Sequence, residues 1–296
     1  MMSRSLALAR FVRLPNTLTT TGDLLAGIAV GLAASGQIPS WPAAMATGLG
    51  LAMLYAFGMA LNDTLDHEKD LTAHPERPLP SGALSHRAAV RTTLLLAGIG
   101  ASALAYGLSR HASATVALLL TLALGSAIAL YDGPARRWRG LGCLTMGACR
   151  GLSMSSGVVL TNPDFAAPTL VLAAPLAYAL LITMVTTVSL LEDRPSQERP
   201  FAPLFGLGLC YLAPALLGPY PLLAAVGGFA LAAFVLAPAR HTPPRWGLVV
   251  RNGVFTTVIY DALWCLSVGR LGLAVISASL FLVIRGLAKL IAQRGS

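Results

Sequence analysis

Apolar residues run along this 296-residue chain in long blocks that short polar connections separate. A block of about 20 apolar residues is long enough to cross a bilayer as a helix. Ten such blocks lie near residues 18–36, 41–61, 88–108, 112–131, 141–160, 168–191, 201–217, 220–237, 247–268 and 271–291. The pattern predicts an all-α, polytopic membrane bundle. Because the seventh and eighth blocks are short and only Gly218-Pro219-Tyr220-Pro221 separates them, they form either two helices or one kinked helix, so the prediction is nine or ten spans.

Composition supports this class. The chain is 55% hydrophobic and only 11% charged, with a mean hydropathy of +0.70, which is too apolar for a soluble globular protein. We expect a single membrane domain over residues 1–296. The four cysteines lie inside apolar blocks and lack metal-type spacing, so they are expected to pack in the core. No glycine-rich phosphate loop opens a helix, which argues against nucleotide-driven transport.

Basic residues are distributed unevenly over a chain of net charge +9. The amino end and the connections after even-numbered blocks hold most of them, whereas the opposite connections hold little beyond Arg110 and Arg270. Connections on the cytoplasmic side collect Lys and Arg. We therefore predict an integral protein of a bacterial inner membrane, with a lipid bilayer and no nucleic acid as its partner, and with its acidic loops facing the cytoplasm.

Acidic residues concentrate directly after the second block, although the chain has only 12 of them. If the helix continues, Asp63, Asp66 and Asp70 share one face at i, i+3 and i+7, with Asn62 beside them. Such like charges repel and need a compensating charge. Mg²⁺ takes oxygen ligands, usually one or two carboxylates together with substrate phosphate oxygens. The spacing therefore predicts a magnesium site, and the alternative is a solvated loop.

Together with its surroundings, this stretch resembles a known family signature. Asn62-Asp63-x-x-Asp66-x-x-x-Asp70, followed by Arg77-Pro78-x-x-Ser81-Gly82-x-x-Ser85, resembles the signature of the UbiA-type intramembrane prenyltransferases. Arg13-Leu14-Pro15-Asn16 is similar to the family's common opening, and Tyr131 with Arg136-Arg137 is similar to its tyrosine and paired-basic loop. The stretch from Met146 to Gly151 resembles the EboC-like bacterial branch.

The resemblance implies a function and a set of site residues. The function is Mg²⁺-dependent transfer of an isoprenyl group from an allylic diphosphate to a small, aromatic or hydroxylated acceptor in the membrane. Catalytic roles would fall to the acids Asp63, Asp66, Asp70 and Asp193. The same four residues and Asn62 would hold Mg²⁺, with Asp193 at a second ion. Diphosphate and substrate contacts would come from Arg13, Asn16, Arg77, Tyr131, Arg136 and Arg137.

One departure leaves alternatives open. The family's second Asp-x-x-x-Asp motif is represented after the sixth block by Asp193, but the position four residues later holds Gln197. A catalytically degenerate scaffold therefore remains an alternative, and an ion-coupled transporter is a weaker one, because transporters place such acids near the bilayer midplane. Asp23 is expected near the polar mouth. Arg150 is either a structural charge or a cavity-lining group, and Asp261 is interpreted as structural.

Overall fold

The computed structural model describes residues 3–192 and 201–293, except for the side chains of Arg136 and Arg137. Within those ranges the regular structure is helical throughout. The helices are α1 (Arg4–Phe11), α2 (Leu14–Thr17), α3 (Thr19–Ser35), α4 (Trp41–Leu65), α5 (His67–Ala73), α6 (His86–Ser109), α7 (Ala114–Asp132), α8 (Arg139–Thr161), α9 (Pro168–Ser189), α10 (Phe201–Cys210), α11 (Ala213–Leu217), α12 (Pro221–Leu236), α13 (Trp246–Phe255), α14 (Thr257–Ser267) and α15 (Leu271–Gln293).

Most of the predicted spans appear as long helices. Among the described residues, eight helices are long and apolar enough to cross a membrane. They correspond to blocks one to six, eight and ten of the sequence, which confirms the all-α membrane fold. The two remaining blocks are broken: one forms α10 and α11, and the other forms α13 and α14.

Local backbone chemistry accounts for the breaks. Pro214 lies in the first turn of α11, where its missing N–H costs nothing but where it ends any helix arriving from α10. At Thr256, between α13 and α14, the backbone leaves helical geometry (φ −86°, ψ 0°), and the hydroxyl donates to the Asn252 carbonyl at 2.8 Å. Neither break changes the apolar pattern. Hydropathy alone therefore predicts one span for α10 with α11 and one span for α13 with α14.

Small residues bring the central helices together. The core lies where α3 packs on α8, α8 packs on α9 and α14 packs on α3. A Cβ on Gly157 of α8 would lie 2.8 Å from the Ile28 backbone nitrogen and 2.9 Å from the Cα of Gly27 in α3. Because no side chain fits there, glycine permits the close approach, as the small-residue spacing predicts.

The ends of the bundle can be distinguished by side-chain contacts. At one end, the Arg10 guanidinium of α1 donates to the Ile291 carbonyl near the end of α15, at 3.4 Å. The stretch that joins α4 to α5 lies at this same end, which we call the acidic end. At the opposite end, the Arg270 guanidinium donates to the Leu32 carbonyl of α3 at 3.0 Å.

Candidate active site

The helical path of α4 continues past the membrane block into α5 with one bend. The bend is at Asp66 (φ −87°, ψ 6°), yet the Asp66 N–H donates to Asn62 and the Asp70 N–H donates to Asp66, at 3.0 and 2.8 Å. The helical hydrogen-bond pattern is therefore almost unbroken, and it turns Asp63 and Asp70 to one side. Both residues are buried, with exposed fractions of 4% and 2%, whereas Asp66 is partly exposed.

Two arginines neutralise these acids. The Arg13 guanidinium donates to Asp63 Oδ1 at 3.0 Å. Arg77 Nη1 lies 2.6 Å from Asp70 Oδ2 and 3.6 Å from Asp63 Oδ1, so this one guanidinium bridges both carboxylates. The compensating charge that the acidic spacing requires is supplied here by guanidinium groups. The arginine side chains stay 37% and 27% exposed, which leaves them open to a further anion.

Arg13 occupies an unusual backbone conformation. Its φ of 49° and ψ of 51° lie in the left-handed region, which non-glycine residues rarely occupy. The residue stands at the start of α2, between the amino-terminal helix and the first span. Backbone strain of this kind collects at functional sites, where surrounding contacts maintain it. From this conformation the Arg13 guanidinium reaches Asp63 at the acidic end.

Asp132 joins the site although the sequence analysis did not select it. It is the last residue of α7, is buried, and accepts a hydrogen bond from Asn62 Nδ2 on Oδ1 at 3.1 Å. Since the amide nitrogen of Asn62 faces Asp132, its amide oxygen faces away and can serve another donor or a cation. The sequence does contain a signal for Asp132, because it is an acidic residue directly after Tyr131 at the end of an apolar block.

A largely apolar cavity begins beside this residue and runs between α3, α4, α7 and α8. Its empty volume is about 490 Å³, including the part open to the outside. Tyr131 and Asp132 line it near the acidic end. Its apolar walls include Leu51, Leu54, Leu124 and Ile128. Farther along α8 and α4, Arg150 and Tyr55 line its deeper part, and the Arg150 Cζ lies 5.8 Å from the Tyr55 ring centroid. The cavity thus runs from Asp132 at the acidic end, between apolar walls, to Arg150 in the interior.

The deeper part borders a buried charge cluster. Arg150 Nη2 lies 2.7 Å from Asp23 Oδ1, and Tyr178 donates to the same oxygen at 2.6 Å. Asp23 is fully buried, so its expected position at the polar mouth is wrong; the carboxylate faces into the bundle because Arg150 draws it there. Asp261 is also fully buried against Gly22 of α3, which supports its structural interpretation.

The predicted site residues are only partly assembled by the described contacts. Asn62, Asp63, Asp70, Arg13, Arg77 and Tyr131 lie around the acidic end as set out above. Asn16 donates its backbone N–H to the Arg13 carbonyl at 2.8 Å and so lies beside that arginine. Asp193 lies outside the described residues, as do the side chains of Arg136 and Arg137, so their predicted roles stay predictions.

The donor set fits magnesium by its chemistry. Asn62, Asp63, Asp66 and Asp70 offer hard oxygen atoms only, and Mg²⁺ binds through one or two carboxylates plus substrate phosphate oxygens. In residues 3–192 and 201–293, no group of three or more His, Cys, Asp or Glu side chains forms a ready ligand cage. A phosphate-bearing substrate would therefore have to complete the coordination, and the exposed arginines could receive its remaining charge.

Comparison with known proteins decides the family. The model of the UbiA prenyltransferase family matches residues 24–243, which is most of the chain. The chain belongs to the UbiA prenyltransferase family. The match includes the acidic stretch, Tyr131 and the cavity helices, so the resemblance read from the motifs is confirmed at the family level.

Two similar proteins come from archaea. A digeranylgeranylglyceryl phosphate synthase of Thermococcus onnurineus is 39% identical over 93 residues, and that of Pyrococcus furiosus is 47% identical over 70 residues. These alignments cover 30% and 23% of this chain but only 33% and 25% of the relatives, so the chain matches about a third of their length or less.

Solved UbiA structures share the fold. A digeranylgeranylglyceryl phosphate synthase structure has a TM-score of 0.63 at 18% identity, and covers 92% of this chain and 100% of its own. The Archaeoglobus fulgidus UbiA homologue bound to DMAPP and Mg²⁺ has a TM-score of 0.59 at 14% identity, and covers 88% of this chain and 98% of its own. Identities this low show the fold alone.

Proposed function

We propose that this protein is a Mg²⁺-dependent prenyltransferase that moves an isoprenyl group from an allylic diphosphate to a small acceptor inside the membrane. The observation that carries the proposal is the linked array of Arg13, Asp63, Arg77 and Asp70. Its neighbour Asn62 is hydrogen-bonded to Asp132, which lines a largely apolar cavity. Charged groups of both signs suit a metal diphosphate, and the apolar walls suit the hydrocarbon that is attached to it.

The reaction places specific demands on these residues. The allylic C–O bond breaks with its electron pair leaving on diphosphate, and the acceptor forms the new bond to the allylic carbon and releases a proton. When bound, magnesium supplies a Lewis acid that stabilises the charge of the leaving group. Asn62, Asp63, Asp66 and Asp70 would hold it, with Asp193 at a second ion as the sequence suggests.

Arg13 and Arg77 are positioned to receive the leaving diphosphate. Both guanidiniums are exposed enough to bind a second anion while they remain close to the acids, and Arg pairs well with phosphate oxygens. Arg136 and Arg137 follow Tyr131 and would add to this charge. Fixed cations aimed at the developing negative charge accelerate such reactions because they need no reorganisation.

The cavity would protect the allylic carbocation. Its walls beyond Asp132 are mostly hydrocarbon side chains, which exclude the water that would otherwise capture the cation. Two solved structures of a UbiA homologue from Archaeoglobus fulgidus support this class of donor, since one contains DMAPP with Mg²⁺ and the other contains GPP with Mg²⁺. The acceptor is proposed only as a small nucleophile. The two relatives are named for digeranylgeranylglyceryl phosphate, which makes a glyceryl phosphate lipid a useful first acceptor to assay.

We further propose that the acidic end faces the cytoplasm. The support is the excess of Lys and Arg in the connections at that end. External labelling of a single cysteine introduced at Ser81 in intact cells would reverse this orientation. The relatives come from archaea, so the predicted bacterial inner membrane stays a prediction.

The function is tested by diphosphate release. The purified chain is incubated with dimethylallyl, geranyl or geranylgeranyl diphosphate, with and without Mg²⁺, and with candidate acceptors. We expect Mg²⁺-dependent release that Asp66→Ala abolishes. Asp164→Ala is the matched control, because Asp164 is an exposed acid at the opposite end of the bundle and should not affect turnover.

Failure of that test has a defined meaning. Absence of release from every donor by a folded, membrane-inserted protein would favour the degenerate scaffold. Uptake of a cation into vesicles that depends on Asp63 and Asp66, without diphosphate release, would favour the transporter.

A further inference from the structure

A second charged pocket, lined by the exposed residues Arg251 and Arg285, lies on the outer surface of the bundle toward the acidic end. It has an empty volume of about 1000 Å³, including the part open to the outside. Arg251 and Asn252 of α13 line it together with Arg285 of α15, and three phenylalanines (Phe234, Phe255 and Phe281) contribute apolar wall. None of its eight described lining residues is acidic.

The pocket shares no lining residue with the active-site cavity. Val249 and Gly253 lie on one face of α13 and are buried, and a Cβ on Gly253 would lie 3.1 Å from Val185 of α9. Arg251 and Phe255 lie on the opposite face of the same helix, since two residues correspond to about 200° of rotation. The full width of α13 thus separates the pocket from the helices that pack behind it.

Both guanidiniums lack an anionic partner in the described chain. Across residues 3–192 and 201–293, no carboxylate forms an ion pair with Arg251 or Arg285. The Arg285 Cζ lies 5.5 Å from the Phe281 ring centroid, which holds the guanidinium over an aromatic face. Guanidinium groups stay charged at any physiological pH. Two such charges in one pocket repel, and an anion relieves the repulsion.

Their depth matches the headgroup region. Arg251 follows the start of α13 at Trp246 by about 8 Å of helix rise, and Arg285 precedes the end of α15 at Gln293 by about 12 Å. Gly247 lies near Glu192, which follows α9, and Ile291 lies near Arg10, so both helix ends belong to the acidic end. Long basic side chains at this depth extend toward the interface.

We propose that Arg251, Asn252 and Arg285 bind the phosphate group of an anionic phospholipid, while the phenylalanines contact its hydrocarbon. Two guanidiniums can each donate two hydrogen bonds to phosphate oxygens, and the Asn252 amide can add another. The pocket disfavours a choline headgroup because that cation would lie near two arginines with no carboxylate to balance it. Snorkelling arginines on separate helices would contact surrounding lipid singly; here they converge on one pocket. The site does not depend on prenyl transfer.

Native mass spectrometry of the full chain in detergent tests this site. Phosphatidylglycerol and phosphatidylcholine with identical acyl chains are added in equal amounts, and retained adducts are counted. We expect a preference for phosphatidylglycerol that Arg251→Gln/Arg285→Gln lowers by roughly thirtyfold, from the attraction of about two basic side chains near a membrane surface. The matched control is Arg87→Gln/Arg91→Gln, which removes the same charge from exposed positions of α6 and should keep the preference.

Several results would overturn the proposal. Equal retention of both lipids by the unaltered protein would do so, and so would an equal loss of preference in the control variant. A thermal unfolding measurement with inorganic phosphate distinguishes a lipid from a soluble anion. If phosphate alone raises the unfolding temperature as much as phosphatidylglycerol does, and the effect needs the same arginines, the site binds a soluble anion and the lipid proposal is wrong. Should the double variant not fold, Arg285→Gln alone is measured, with a loss of about fivefold expected.

Discussion

Two clusters of aspartate and arginine in this UbiA protein use the same side chains in opposite ways. At the acidic end, Arg13 and Arg77 balance Asp63 and Asp70, and the arginines remain 37% and 27% exposed. In the core, Arg150 pairs with Asp23, and both side chains are nearly or fully buried. Asp261 adds a second buried carboxylate near that pair.

The difference lies in whether another ion can enter. Partly exposed guanidiniums can bind a phosphate that arrives from outside, and a bound Mg²⁺ would then compensate the buried carboxylates of Asp63 and Asp70. A buried pair has no such compensation, so removing one member leaves an isolated charge in the interior. The acidic end is therefore suited to binding and release, and the core cluster to holding α3, α8 and α9 together.

The largest expected effect concerns the core cluster. Arg150→Met should destabilise the folded protein by about 3–5 kcal/mol, since it leaves the Asp23 carboxylate buried without its cation. The thermal unfolding midpoint in detergent measures this loss. Arg150→Met/Asp23→Leu should recover part of it, because the second change removes the isolated charge. The control is Arg91→Gln, which changes an exposed arginine. If Arg150→Met had the same unfolding midpoint as this control, the buried cluster would not contribute to stability as proposed.

Removal of the bridging arginine should act on turnover. Arg77→Gln should lower Mg²⁺-dependent diphosphate release by about 100-fold to 1000-fold, the usual cost of losing one fixed group that stabilises transition-state charge. Its unfolding midpoint should fall less than that of Arg150→Met and should rise again when Mg²⁺ is added, because the cation can take the position that the partly exposed Arg77 guanidinium leaves beside Asp63 and Asp70.

Arg13→Gln provides the comparison within the same cluster. Arg13 contacts Asp63 alone, whereas Arg77 contacts both carboxylates, so the turnover loss should be the smaller of the two. If Mg²⁺ stabilised Arg150→Met as well as Arg77→Gln, the core cluster would be open to ions and the distinction would be wrong.

A smaller effect is expected at the contact between α4 and α7. Asp132→Ala should raise the Mg²⁺ concentration for half-maximal activity by about tenfold, since partners that orient a metal ligand typically contribute 10-fold to 100-fold in affinity. The reason is the hydrogen bond that fixes the Asn62 amide. Thr121→Val is the control, because Thr121 is buried on the same helix but donates only to its own helix, at Ala117. An unchanged Mg²⁺ dependence in Asp132→Ala would show that Asn62 needs no such support.

Much of this arrangement could be predicted because membrane helices carry a strong local signal. Apolar blocks located the eight long helices, and the acidic spacing placed Asp63 and Asp70 on one side. The helix breaks at Tyr211-Leu212 and Thr256 were missed because they interrupt the backbone without interrupting hydropathy.

Pairings between distant residues could not be read from the chain. Arg13 and Asp63 are 50 positions apart and meet only because α2 folds across the end of α4. The sequence predicted Asp23 near the polar mouth because it lies close to the start of an apolar block, yet in the structure it pairs with Arg150 in the core. Charge balance between helices is a property of the packed bundle, and a single sequence does not show which helices are neighbours.

The smallest expected effect concerns the second acidic cluster. Asp193 and Glu198 lie outside the described residues, so the expectation rests on sequence. Asp193 directly follows an apolar block, whereas Glu198 lies beyond Pro195, which disfavours a continued helix. Glu192 is the rival; its carboxylate is directed toward the start of α13, where a Cβ on Gly247 would lie 3.6 Å from Oε2.

We therefore expect Asp193→Asn to raise the half-maximal Mg²⁺ concentration by less than tenfold, and Glu192→Gln and Glu198→Gln to leave it nearly unchanged. The effect should be smaller than that of Asp132→Ala, because the first cluster still holds its ligands and one or two carboxylates with diphosphate suffice for Mg²⁺. Titrating Mg²⁺ against diphosphate release in the three variants measures it. Equal and negligible shifts in all three would make this stretch a solvated loop and leave metal binding to the first cluster and the substrate alone.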